Sequence, residues 1–180
     1  MKAKNDGRAL DAGQMASAES LSEAGFTGES PVAVPGLVDE LLKLENQLCF
    51  PLYACSREVV RRYTPFLDKL GLTYTQYLAM MALWEYGDSS VGELCARLYL
   101  DTGTMTPLLK KLEAKGYVKR VRSEMDARKV DVSLTEKGTA LKAEAAVVPI
   151  NVGTCLSIEP DDAVELKRLL EKVLKDNVGA

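Results

Sequence analysis

Cys49, Cys55, Cys95 and Cys155 are the side chains whose chemistry first draws attention, because the 180-residue chain contains no histidine. Without histidine there is no Ser-His-Asp or Cys-His nucleophile, no imidazole general base and little prospect of a zinc site. No two of the cysteines form a Cys-x-x-Cys pair, and a chain of this length does not need a disulfide framework, so reduced thiols are expected at rest. A lone cysteine on a helix is most often a small buried hydrophobe, which is the reading for Cys55 and Cys95. Cys49 differs: Tyr53 follows at i+4, one helical turn on, where a phenol can point at the sulfur.

A second group of side chains suggests polyanion binding. Net charge is −3, yet residues 110–129 hold eight basic side chains (Lys110, Lys111, Lys115, Lys119, Arg120, Arg122, Arg128, Lys129) against three acidic ones (Glu113, Glu124, Asp126). A basic stripe on an otherwise acidic molecule is either a solvated face or an electrostatic footprint for nucleic acid, and charge alone does not choose. Just upstream, Thr102, Thr104 and Thr106 bring hydroxyls that can bond phosphates or base edges and methyls suited to thymine.

These groups need elements to hold them. Apolar residues at Leu41, Leu44, Leu48, Leu52, Cys55, Val59, Tyr63, Phe66 and Leu70 form a helical stripe, with a kink or break expected near Pro51 and Pro65 and an end at Gly71. Thr73-Tyr-Thr-Gln76 and Ser90-Val-Gly-Glu93 match capping boxes, so two helices start there. A third follows from Thr102 to Lys115 and stops at Gly116, with Pro107 early in it where its missing N–H is dispensable. Helix, short turn, helix makes a helix-turn-helix, over about residues 90–115. Residues 117–122 and 128–134 read as strands of a hairpin, a wing over about 117–134. Thr135 opens a helix broken by Pro149, and Pro160 opens a last one. The fold class expected is mainly α with a small β-hairpin wing.

The first and last apolar stripes, about residues 38–70 and 136–176, exceed what a small winged core covers, and two subunits packing them together would bury them. Residues 1–36, rich in Gly, Ala, Ser and Glu, read as a disordered extension to a single domain over 37–180. No run of apolar residues suits a membrane span, and the N-terminus lacks the order of a signal peptide, so a cytoplasmic protein with no cofactor or metal is expected.

Motifs in that order resemble the MarR family of regulators. Leu44-Glu-Asn-Gln-Leu-Cys-Phe50, Leu72-Thr-Tyr-Thr-Gln-Tyr77, the run from Leu100 to Glu113, and Arg122-Ser-Glu-Met-Asp-Ala-Arg128 resemble its organic hydroperoxide resistance branch, colinearly over about residues 40–175. The resemblance implies a homodimeric repressor on an inverted-repeat double-stranded DNA operator, with organic hydroperoxides as inducers.

For individual residues the resemblance implies that Cys49 is the reactive thiol, with Tyr53 and a second tyrosine, Tyr63, supplied across the dimer, as hydrogen-bond donors to its thiolate. Cys155 resembles a resolving cysteine that would condense with the Cys49 sulfenate of the other subunit. At the wing tip Asp126 holds Arg128, whose guanidinium enters the minor groove, while Arg120 and Arg122 are expected to meet phosphates. Lys110 and Lys111 point toward the DNA backbone. Pro51, two residues after Cys49, departs from the pattern. Two other functions fit the same residues: a regulator answering to a phenolic or carboxylate ligand with Cys49 inert, and a thiol peroxidase using Cys49 and Cys155. A winged helix that only binds protein partners is a third.

Overall fold

The computed structural model describes residues 39–40, 42–123, 126, 128–153 and 157–177. The expected disorder of residues 1–36 and the position of Cys155 lie outside these. Backbone contacts divide the chain into two units, residues 1–56 and 57–180.

A short 3-10 turn, Leu44–Asn46, precedes α1, Cys49–Leu67, and a second 3-10 turn, Asp68–Leu70, follows it. Gly71, at φ 64°, closes this turn as expected. Pro51 does not interrupt α1. It stands in the first turn, where a backbone N–H has no intrahelical partner to lose, and so helps the helix start at Cys49. Pro65 lies inside α1, and the helix ends two residues later.

The second unit carries α2 (Tyr74–Tyr86), β1 (Ser89–Ser90), α3 (Val91–Leu98), α4 (Thr102–Ala114), β2 (Val118–Arg122), β3 (Val130–Leu134), α5 (Glu136–Ala145), α6 (Val147–Gly153) and α7 (Pro160–Asn177). Both expected capping boxes are present: the Thr73 hydroxyl accepts from the Gln76 N–H while Gln76 accepts from Thr73, and Ser90 and Glu93 repeat the exchange. Pro149 breaks the chain one turn earlier than expected. It sits within α6, and a proline crowds the carbonyl four residues back, which is Ala145, the last residue of α5.

The wing strands pair antiparallel, with Val118 opposite Leu134, Arg120 opposite Val132 and Arg122 opposite Val130. Ser89–Ser90 adds a third strand on the other side of β3, an element with no alternation to betray it, giving the order β1-β3-β2. Met80, Leu83, Leu94, Met105, Leu109, Leu112 and Val132 form the centre of the core. Trp84 ties α2 to α5 by donating its indole N–H to the Gly138 carbonyl at 2.9 Å. Gly138 is required there, since a Cβ would collide with the Tyr117 carbonyl. No described helix is long and apolar enough to cross a membrane.

Candidate nucleic-acid interface and thiol site

The face of α4 that holds it in place is Met105, Leu108, Leu109 and Leu112, an i, i+3, i+4, i+7 set that is buried throughout. The opposite side is left for contact: Thr102, Thr104, Lys110 and Lys111 are exposed and Thr106 is half-buried. Asp101 caps the helix, accepting the Thr104 N–H at 2.8 Å and the Thr104 hydroxyl at 2.7 Å. These bonds hold the Asp101 carboxyl below the usual carboxylate range. The Thr104 proton is therefore committed to Asp101, which leaves its hydroxyl oxygen able to act only as an acceptor. Asp101 was absent from the sequence-predicted residues, although an Asp directly before a helical run is a cap signal.

Pro107 is the sixth residue of α4, not one of its first turn, so its missing N–H leaves the Gly103 carbonyl without its ladder partner.

Two members of the basic stripe are bonded to the protein itself. Lys115 donates to the Gly71 carbonyl at 2.5 Å and to Gln76 Oε1 at 3.0 Å, which also satisfies the buried Gln76 amide oxygen. Arg120 donates through Nε and Nη2 to Glu113 Oε2, at 2.9 and 2.7 Å, and its backbone N–H reaches Glu113 Oε1 at 3.1 Å. The guanidinium holds the Glu113 carboxyl below the usual carboxylate range. Arg120, expected to meet phosphate, is paired with Glu113 in the unbound chain. The register gives the reason: Arg120 lies opposite buried Val132, on the face of the hairpin turned to the core. Lys119, Arg122, Arg128 and Lys129 are exposed. At the wing tip, Asp126 accepts the Arg128 backbone N–H at 3.0 Å and the Lys129 N–H bonds the Asp126 carbonyl at 2.8 Å, so Asp126 orders the turn from which Arg128 projects.

Cys49 is the first residue of α1 and is exposed, with Tyr53 one turn on and also exposed. Cys55, expected to be buried, is exposed, while Cys95 is half-buried beside the core. In the second unit Tyr63 packs edge-on against Tyr74, ring centroids 4.9 Å apart, and lies 6.1 Å from Tyr77. Burial pushes the Tyr63 and Tyr74 phenols up from their ordinary value. Tyr74 was missed as a partner of Tyr63; it lay in the quoted 72–77 motif but was read only as the start of a helix.

A helix-turn-helix with its recognition helix on the surface, followed by a hairpin wing with arginines at the tip, defines a winged helix-turn-helix protein. The family model described as transcriptional regulator SarA/Rot matches residues 61–145. The organic hydroperoxide resistance transcriptional regulator of Bacillus subtilis is 50% identical over 128 residues, covering 71% of this chain and 85% of that protein. The crystal structure of overoxidised AbfR bound to DNA shares 34% identity at a TM-score of 0.64, covering 79% of this chain and 100% of that one. AbfR, from Staphylococcus epidermidis, also appears in reduced DNA-bound and disulfide-formed structures. Wild-type MarR of E. coli is 27% identical at a TM-score of 0.58, over 71% of this chain and 96% of that one. This chain belongs to the MarR family of transcriptional regulators, in its organic hydroperoxide resistance branch.

Proposed function

We propose that the chain is a homodimeric repressor in the cytoplasm that binds an inverted-repeat operator and releases it when an organic hydroperoxide oxidises Cys49. In this reading α4 enters the major groove through Thr102, Thr104 and Thr106, with Lys110 and Lys111 toward the backbone. Arg122 meets phosphate, and Arg128, set by the Asp126 turn, enters the adjacent minor groove. The dimer is supported by the apolar faces of α1 and α7: among the described side chains of the single chain, Leu67 alone is buried in α1 and none in α7.

The observation that carries the sensing step is the placement of Cys49: an exposed thiol at the N-terminal residue of a helix, with a phenol one turn away. The anionic sulfur that attacks a peroxide thus sits at the positive end of a helix dipole. Attack on the peroxide breaks the O–O bond and forms an S–O bond. The sulfur becomes a sulfenic acid, and the alkoxide leaves and takes a proton as an alcohol. Condensation with a second thiol expels water and forms a disulfide; Cys155 of the other subunit is the proposed partner, with a small external thiol as the substitute.

Operator binding is measured before and after one equivalent of organic hydroperoxide, for the wild type and Cys49→Ser. Release by the wild type, restored by reductant, with Cys49→Ser staying bound, is the expected result. If both stay bound, Cys49 is not the sensor; if both release, another group is.

A further inference from the structure

Glu113 is out of place on electrostatic grounds. It is a carboxylate in the last turn of the recognition helix, where the dipole disfavours negative charge, and it lies in the stripe that would face a polyanion. Its surroundings account for it. Arg120 makes three hydrogen bonds to this one carboxylate, two from the guanidinium and one from the backbone N–H. Side-chain exposure is 21% for Arg120 and 36% for Glu113, so the pair is more sheltered than a typical surface ion pair. β2 is an edge strand, and Glu113 Oε1 takes up a backbone N–H along that edge. Two guanidinium N–H groups converge on Oε2 while the backbone N–H holds Oε1, so both carboxylate oxygens are fixed by one residue. It joins the end of α4 to the middle of the strand that leads to the wing tip, across the turn at Gly116, φ 76°.

We infer that Glu113 and Arg120 form a clamp that sets the wing's angle to the recognition helix, making Glu113 a positioning residue for the wing's contact with operator flanks. The inference rests on the operator-binding reading above. With α4 seated in the major groove, the reach of Arg128 to the adjacent minor groove depends on the hairpin leaving α4 at one fixed angle. Neither clamp residue needs to touch DNA to do this.

The test uses the full-length protein and a duplex selected by the wild type from a random library. Affinity for this duplex is compared with affinity for the same inverted repeat whose A·T-rich flanks are replaced by G·C pairs. The wild type is expected to prefer the native flanks. Glu113→Gln, nearly isosteric but neutral, is expected to lose about tenfold of that preference, the scale of a mismatched base pair. Its affinity for the flank-replaced duplex stays the same or rises, because a negative charge has been removed. Arg120→Lys, which keeps the charge but loses the fork, is expected to lose flank preference in the same way, and a urea unfolding curve for each variant confirms the fold. Full flank preference in Glu113→Gln overturns the clamp, as does an equal loss on both duplexes, which would place the effect in α4 itself. A wild type with no flank preference overturns the wing reading, and the clamp with it.

Discussion

The recognition helix, of 13 residues, and the last helix, of 18, have opposite circumstances. Along α4, Met105, Leu109 and Leu112 are fully buried, and the helix is capped by Asp101 and tied to β2 through Glu113. Along α7, Val164 is 70% exposed and Leu169 45%, and none of its described side chains is buried. Its ion pairs, Arg168–Glu165 and Lys167–Glu171, are local and exposed and add little stability. A helix of this length gains most of its stability from packing an apolar face. The core around α4 is packed within the chain, while α7 leaves an apolar face exposed, the face assigned to the proposed dimer. In that proposal the part that reads DNA and the part that assembles the dimer draw on different sources of stability.

That contrast can be broken by substitution. Leu109→Ala removes fully buried methyl groups from the centre of the core and is expected to cost about 2–5 kcal/mol of unfolding free energy, read from urea denaturation, with operator binding lost as the fold fails. A cost under about 1 kcal/mol would mean that the core is loosely packed there. Leu170→Asp, on the exposed α7 face, is expected to change the fold of the single chain by no more than about 0.5 kcal/mol. It should instead shift the dimer toward monomer by sedimentation and make the unfolding midpoint depend on protein concentration. An unchanged dimer would remove α7 from the interface.

The same contrast explains what the sequence made legible. Features written in contiguous residues were readable: the two capping boxes, the left-handed stops at Gly71 and Gly116, and the alternation of Val130, Val132 and Leu134. Features that depend on how one element meets another were not. Ser89–Ser90 becomes a strand only because β3 lies beside it, and Arg120 meets Glu113 because strand register faces it toward α4. Prolines were misread where their position relative to a helix start was decisive: Pro51 and Pro149 belong to first turns, and Pro107 does not. The charge count of the basic stripe was right, but Lys115 and Arg120 serve the fold.

The central claim is that sensing at Cys49 and reading by α4 and the wing are separate properties of one dimer. The most direct test pairs two single variants. Loss of the Cys49 thiol to organic hydroperoxide is followed in Arg128→Ala by mass spectrometry of the Cys49 peptide, and operator affinity is measured for reduced Cys49→Ser. Arg128→Ala is expected to bind its operator about tenfold more weakly yet lose the thiol at the wild-type rate, and Cys49→Ser to bind with wild-type affinity. Slowed oxidation in Arg128→Ala, or weakened binding in reduced Cys49→Ser, would contradict the separation.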